Sequence, residues 1–146
     1  DTDSKGMVYV ADRENQRIQI FDSNGNFQYQ MGLNIARPGA VCINENSGVV
    51  LAYIGEFFSG FNTYATAERI GPRVCILDNN GNKLANLGYQ SFGDGPGQFY
   101  SPHAIAVDSK GDIYVAEVSL TEKYGGIVEP PKPGVQRRSF QKLIKQ

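Results

Sequence analysis

The sequence of 146 residues contains no tryptophan, one histidine and two cysteines, and its 14 basic residues are balanced by 15 acidic ones. Two cysteines are too few for a small scaffold held together by disulfides. A charged fraction of 20% excludes a disordered polyelectrolyte and a coiled coil, since both need a larger one. The balanced charge argues against nucleic acid as a partner bound through bulk positive charge. The composition is that of one ordinary globular domain.

The chain also lacks a long hydrophobic segment. Its longest apolar run, residues 49–54, is far shorter than the roughly 20 residues that a membrane-spanning helix needs. The first residue is Asp1, and no basic-then-apolar leader follows it, so we expect processing or truncation at this end. The sequence therefore predicts a soluble protein without a membrane partner, and it leaves the compartment unassigned.

Glycine and aromatic residues are abundant, with 17 glycines, 8 tyrosines and 8 phenylalanines. Glycine supplies the positive φ that tight turns need, and aromatic side chains fill the pleated surface of a sheet. This combination predicts an all-β fold of short strands joined by tight turns.

Three kinds of segment recur along the chain in constant order. They are RPGAVCI (37–43) with SPHAIAV (101–107); GMVYVAD (6–12) with GDIYVAE (111–117) and, more loosely, GVVLA (48–52); and RIQIFDSNGN (17–26) with RVCILDNNGN (73–82). The Asn-Gly pairs in the last two segments predict hairpins with a type I′ turn, in which both central residues have positive φ. Each unit therefore consists of four short strands.

A four-stranded repeat of roughly 40–50 residues is typical of a β-propeller blade. We predict a single partial propeller domain of about three blades, at approximately 1–34, 35–92 and 93–146. The first blade lacks its opening strand, and the third ends after a strand at 140–143 that matches 18–21. Because closed propellers typically have 4–8 blades, either further blades are missing or chains self-associate to close the ring.

The blade model also predicts the state of the two cysteines. Cys42 would lie on the first strand of the middle blade and Cys75 on the third. Two strand spacings would separate their Cα atoms by roughly 9–10 Å, which is too far for a disulfide. We therefore expect two free, buried thiols.

The repeat, Tyr-Val-Ala-Asp followed by Arg-Ile-Gln-Ile-Phe-Asp-x-x-Gly, resembles the NHL repeat over nearly the whole chain. Within that superfamily, VYVADRENQRIQ (8–19) and FYSPHAI (99–105) are similar to the catalytic domain of peptidyl-α-hydroxyglycine α-amidating lyases. This resemblance implies a six-bladed parent propeller, of which the chain would be the C-terminal part. It also implies an enzyme that releases glyoxylate from a C-terminal α-hydroxyglycine and leaves a peptide amide. Such an enzyme would be a zinc-dependent carbon–nitrogen lyase.

The resemblance implies that His103 is a zinc ligand and that Arg13 is a catalytic residue that holds the substrate carboxylate. A catalytic zinc usually has three protein ligands, however, and His103 is the only histidine. Ala104 also stands where the family has a calcium-binding Asp, which argues against calcium. We therefore expect an incomplete zinc site and no lyase activity from this chain alone. Without the resemblance, His103 would be a polar residue at a loop edge and Arg13 a solvent-facing partner of Asp12.

Other charged residues that recur with the repeat have a simpler interpretation. Arg17 and Arg73 occupy one repeat position and are expected to brace the blades through hydrogen bonds. Asp12 and Glu117 share another position, where an acidic side chain would accept backbone N–H bonds in the turn between two strands.

Two segments, 55–71 and 120–136, interrupt the repeat, and insertions on one face of a repeat array often form the binding surface. The first is rich in aromatic residues that either stack on a ligand or plug a neighbouring blade. They are Phe57, Phe58, Phe61 and Tyr64. The alternative to a lyase is therefore a non-catalytic NHL propeller that binds a protein, a peptide or a glycan.

Overall fold

The computed structural model describes residues 1–32, 35–46, 48–58, 70–88, 92–120 and 133–146. These residues form strands and turns. The described part of the chain contains no helix, and so no helix able to cross a lipid bilayer. The strands are β1 (Val8–Asp12), β2 (Arg17–Phe21), β3 (Phe27–Met31), β4 (Arg37–Asn46), β5 (Val49–Phe57), β6 (Arg73–Asp78), β7 (Lys83–Leu87), β8 (Pro102–Val107), β9 (Ile113–Glu117) and β10 (Phe140–Leu143). The predicted all-β fold is confirmed.

The strands form three antiparallel sheets, which we call blades 1, 2 and 3. Blade 1 has the order β1-β2-β3, blade 2 the order β4-β5-β6-β7 and blade 3 the order β8-β9-β10. At the outer edge of β1, Thr2 forms an isolated antiparallel bridge with Val8. In blade 3, Phe140 pairs with Ala116 as Ile18 pairs with Ala11 in blade 1. The predicted alignment of the last strand is therefore confirmed.

The middle blade follows the repeat in a different register from the predicted one. Leu77 and Phe21 occupy the same repeat position. Leu77 pairs with Ala52 in blade 2, and Phe21 pairs with Val8 in blade 1, so Ala52 is equivalent to Val8. This register aligns Tyr53 with Tyr9, two residues away from the alignment that GVVLA suggested. The hairpin of β4 and β5 is longer than its equivalent in blade 3, so its turn glycine lies farther from the paired residues. The pairing across the sheet, and not the position of the turn, therefore sets the register.

Two apolar clusters hold the three blades together, one on each side of blade 2. Between blades 1 and 2 lie Tyr9, Ile18, Ile20, Met31, Ile35, Ala52, Ile54, Cys75 and Leu77. Between blades 2 and 3 lie Tyr53, Val74, Phe99, Ile113 and Val115, with Cys42, Ile105, Val107 and Leu143 packed against them. Every blade therefore buries one of its faces against a neighbour.

The cysteines lie on opposite faces of blade 2, and both are free thiols as predicted. Cys75 is buried, and this burial raises the pKa of its thiol to about 12. Cys42 is only partly buried, so the predicted burial is wrong for this thiol. Partial burial still raises the pKa of Cys42. Neither thiol is therefore activated as a nucleophile.

The turns after Asp22 and Asp78 differ from the predicted type I′ turn. Positive φ occurs at Gly25 and Gly81 and not at the asparagines before them. In each loop the glycine N–H donates to the aspartate carbonyl, at 3.0 Å in both cases, and the aspartate Oδ1 accepts two further backbone N–H groups. The aspartate side chain thus organises the loop, and the asparagine keeps an ordinary conformation.

The same loop also joins the first two strands of a blade. Gly6 N–H donates to the Asp3 carbonyl at 3.0 Å, and Gly111 N–H donates to the Asp108 carbonyl at 2.9 Å. The tetrapeptide Asp-Ser-Lys-Gly, which occurs at 3–6 and at 108–111, is the sequence signal for it. The end of an opening strand is therefore present in blade 1 as well.

Candidate functional site

His103 lies at a β-bulge near the start of β8. Pro102 pairs with Glu117 and Ala104 pairs with the next residue, Ala116, so His103 has no partner across the ladder. A bulge reorients the side chain of the extra residue, and His103 is exposed. The same bulge in β4 places Gly39 between Pro38 and Ala40. His103 and Gly39 therefore occupy one repeat position, as the alignment of 37–43 with 101–107 predicts.

Arg13 and Phe57 also share a repeat position. Asp12, at the end of β1, pairs with Arg17, and Glu56, near the end of β5, pairs with Arg73. Arg13 and Phe57 each follow the acidic residue. The repeat thus places the two side chains at equivalent points on neighbouring blades.

Phe57 contacts both of the other predicted site residues. The guanidinium carbon of Arg13 lies 5.5 Å from the centre of the Phe57 ring, which is a cation–π distance. The Phe57 and His103 ring centres are 5.6 Å apart, with the planes tilted by 43°. Arg13, Phe57 and His103, one from each blade, form a continuous row that we call the three-blade row.

Gly39 makes this row possible, although sequence patterns did not single it out. A Cβ atom at Gly39 would lie 2.5 Å from Cε1 of Phe57 and 2.6 Å from the Pro102 carbonyl oxygen. Both distances are too short for carbon contacts, so a larger residue would displace the Phe57 ring from His103. The signal in the sequence is that the bulge position is glycine in blade 2 and histidine in blade 3.

An open groove of about 600 Å³ extends from β1 and β2 of blade 1 to His103. Its walls come from all three blades and are formed by Val10, Ala11, Asp12, Arg13, Glu14, Gln19, Phe21, Pro38, Gly39 and His103. Arg13 and His103 both line it, and Phe57 joins them. The groove is large enough for several side chains of a bound segment.

Charges of both signs flank the groove. Glu14 accepts hydrogen bonds from Arg37 Nη2 and from Arg13 Nε, and these bonds lower the pKa of its carboxyl. Hydrogen bonds from Arg17 and Asn15 likewise lower the pKa of Asp12. Both carboxyl groups are therefore ionised at neutral pH and offset the charge of Arg13. Arg37 Nε is buried, and among the described residues it has no hydrogen-bond partner.

Among the described aromatic residues of the predicted binding loop, Phe58 does not line this groove. Phe58 is 7% exposed and packs edge-on against Phe92, with ring centres 5.4 Å apart. Phe61 and Tyr64 lie outside the described residues. The interruption of the repeat begins later than its predicted start at residue 55, because Gly55, Glu56 and Phe57 still pair in β5.

Glu56 is the member of the acidic repeat position that the sequence comparison missed. Its Oε2 accepts the Ala36 N–H at 2.9 Å, just as Glu117 Oε2 accepts the Tyr100 N–H at 2.6 Å. Glu117 therefore accepts a backbone N–H bond as predicted, but the donor, Tyr100, precedes β8 and does not lie in the predicted turn. Aligning Tyr53 with Tyr9 would have identified Glu56.

The recurring arginines act within their own blades. Arg17 Nε donates to Asp12 Oδ2 and Arg73 Nε donates to Glu56 Oε2, both at 2.9 Å. The first bond joins β2 to β1, and the second joins β6 to β5. The structural role predicted for these arginines is therefore confirmed, and each acts inside one sheet.

The side chains around His103 do not fit a complete zinc site. No group of three or more His, Cys, Asp or Glu side chains that could hold a metal ion occurs in the described part of the chain. The neighbours of the imidazole are the Phe57 ring and, beyond it, the cationic Arg13, neither of which is a metal ligand. His103 thus offers one candidate ligand.

Comparison with known proteins identifies the repeat. The model of the NHL repeat matches residues 1–21 and 99–120. The chain is similar to the protein brain tumor of Drosophila melanogaster, with 26% identity over 119 residues, which cover 77% of this chain and 10% of that protein. The chain thus spans about a tenth of the length of this relative. With the three antiparallel sheets, these matches support an NHL-repeat family for this chain, as a partial NHL β-propeller.

Proposed function

We propose that this chain is a non-catalytic binding module that takes a peptide or a protein segment into the groove beside the three-blade row. The observation that carries this proposal is that Arg13 of blade 1 and His103 of blade 3 line one open groove, with the Phe57 ring of blade 2 in contact with both. Exposed polar side chains that an aromatic ring holds in place form a preorganised recognition surface.

The chemistry of the groove favours a polypeptide ligand. The Arg13 guanidinium and the His103 imidazole can donate hydrogen bonds to carbonyl or carboxylate oxygens, and the Phe57 ring between them offers apolar contact. A polyanion such as RNA is disfavoured, because Asp12 and Glu14 are ionised on the same wall. A mixed pattern of donors, acceptors and apolar patches matches a peptide.

The test is a screen of a random peptide library against the chain, followed by affinity measurements on the selected peptides. Arg13→Ala and His103→Ala should each weaken binding by about tenfold or more, which corresponds to about 1.4 kcal/mol. Lys110→Ala, in an exposed turn outside the groove, is the matched control and should leave affinity unchanged. Equal affinities for the unchanged chain and both groove variants would refute a peptide site at the three-blade row.

An amidating lyase is the second candidate function. It is supported by the groove, because the two residues that the resemblance assigns to substrate and metal, Arg13 and His103, both line it. Because one histidine does not complete a zinc site, the test needs the full-length parent protein. Zinc-dependent release of glyoxylate by that parent from a peptide that ends in α-hydroxyglycine, with loss of that release in its His103→Ala variant, would support this candidate. Equal activity of an active parent and of its His103→Ala variant would remove His103 from the reaction.

A further inference from the structure

The outer faces of blades 1 and 3 remain uncovered in the described structure. We call Val8, Val10, Gln19 and Phe21 the upstream face of blade 1; they point away from the cluster shared with blade 2. We call Ala104, Ala106, Tyr114, Ala116, Phe140 and Lys142 the downstream face of blade 3. Phe140 is 57% exposed and Val10 is 41% exposed. Blade 2, by contrast, is covered on both faces.

The contact between blades 2 and 3 shows what covers a downstream face. In blade 2 that face carries Tyr53, Cys42 and Val74, and it packs against the upstream face of blade 3. The downstream face of blade 3 has the same character, since Tyr114, Ala106 and Phe140 occupy the equivalent register positions. The Tyr114 and Phe140 rings already pack together there, with centres 6.2 Å apart.

The upstream face of blade 1 likewise resembles the upstream face of blade 3. Val8 corresponds to Ile113, Val10 to Val115, Gln19 to Gln141 and Phe21 to Leu143. Blade 3 uses the apolar members of this set, Ile113, Val115 and Leu143, against blade 2. The chain therefore carries both halves of a blade-to-blade contact, one at each of its two outer blades.

We propose that two copies of this chain associate head to tail, with the downstream face of blade 3 in each copy against the upstream face of blade 1 in the other. Two copies of three blades give six, which lies within the usual range of about 4–8 for a closed propeller. A contact between unlike faces closes into a ring when two such contacts form, and then leaves no uncovered face.

One charged residue lies on the downstream face, and it is already paired. Lys142 Nζ lies 2.8 Å from Asp112 Oδ2 and 5.1 Å from the centre of the Tyr114 ring. Covering it would therefore not bury a lone charge. The charge also disfavours unspecific pairing at the exposed strand β10.

The association would also shorten the groove. Val10, Gln19 and Phe21 belong both to the groove wall and to the upstream face of blade 1, so the second copy would cover them. Arg13 and His103 do not belong to that face, and they would remain open to a ligand.

Sedimentation velocity and light scattering on the 146-residue chain test this proposal, at concentrations up to about 100 μM. The unchanged chain should reach twice its mass of 16.0 kDa. Phe140→Asp and Val10→Asp should each return to the mass of a single chain while their circular dichroism stays that of the unchanged chain. Leu84→Asp, an exposed position on the outermost strand of blade 2, is the matched control and should keep the double mass.

Mixing the two single variants distinguishes this arrangement from other dimers. Phe140→Asp retains a normal blade 1 face and Val10→Asp a normal blade 3 face, so a mixture can form one intact contact. The mixture should therefore associate where each variant alone does not. A single-chain mass for the folded unchanged chain at every concentration would overturn the proposal, as would a mixture that stays at single mass or a mass that grows without limit.

Discussion

At the scale of residues, the acidic position shared by Asp12 and Glu56 differs in burial between blades 1 and 2. Glu56 is fully buried and paired with Arg73, whose side chain is 5% exposed, whereas Asp12 pairs with an Arg17 side chain that is 38% exposed. Burial raises the pKa of Glu56, and hydrogen bonds lower the pKa of Asp12. The neighbouring blade causes the difference, because it covers the pair in blade 2.

Replacing Arg73 with methionine should destabilise the protein far more than the same change at Arg17. The first change leaves the buried Glu56 carboxylate without its partner and should cost about 3–5 kcal/mol. The second breaks a partly exposed pair and should cost less than about 1 kcal/mol. Urea unfolding of the two variants measures both losses.

The double variant Glu56→Met with Arg73→Met is the control for Arg73→Met. It removes both charges and should recover most of the lost stability. The single variant should also regain stability as the pH falls from about 7 to about 5. Burial raises the pKa of Glu56 in the folded protein above its value in the unfolded chain. As the pH falls, Glu56 is therefore protonated in the folded protein first, which removes the buried charge and stabilises the fold. A loss that is equal at both pH values would contradict a role for the Glu56 charge.

At the scale of elements, the Asp-x-x-Gly loop determines how strands connect. In each copy the glycine has a φ near +80°, and the aspartate side chain accepts backbone N–H bonds. Gly25 has open space around it, whereas a Cβ atom at Gly81 in blade 2 would lie 2.9 Å from the Cβ of Met31 in blade 1. One loop is thus a purely local structure, and the other also forms part of a contact between blades.

Alanine at these two glycines should separate local strain from packing. Gly25→Ala should cost about 1–2 kcal/mol, the usual cost for a left-handed conformation with a Cβ. Gly81→Ala should cost more, because Met31 must also move. Gly25→Asn is the control and should cost less than Gly25→Ala, since asparagine tolerates this conformation. Thermal unfolding measures all three changes, and equal losses at Gly25 and Gly81 would argue against the Met31 contact.

At the scale of the whole molecule, blade 2 is the central support of the described structure. It contributes side chains to both apolar clusters, while blades 1 and 3 contribute to one each. The stability of the outer blades should therefore depend on what covers their free faces.

This dependence predicts that thermal stability rises with protein concentration. If two copies cover each other's outer faces, the Tm of the unchanged chain should rise by about 2 °C for each tenfold increase in concentration. The Tm of Phe140→Asp should stay constant, because that variant cannot form the contact. Differential scanning calorimetry at several concentrations measures both. A constant Tm for the unchanged chain would contradict head-to-tail association.

The sequence repeat predicted the sheets, the alignment of 140–143 with 18–21, the free cysteines and the structural role of Arg17 and Arg73. It missed Glu56, because the second strand of blade 2 was aligned two residues away from its paired register. It also assigned a type I′ turn where the side chains of Asp22 and Asp78 organise the loop. Local patterns do not reveal these features, since register and turn type depend on hydrogen bonds across the sheet.

The sequence by itself determined that this protein is built of repeated short strands, because recurring apolar segments and glycine-containing turns are local features. Only the tertiary structure decided that Arg13, Phe57 and His103 meet. Phe57 reaches His103 because Gly39 leaves no side chain between β4 and the neighbouring blade. Contacts between blades join residues far apart in the chain, and they depend on how two sheets pack. No pattern within a single repeat contains that information.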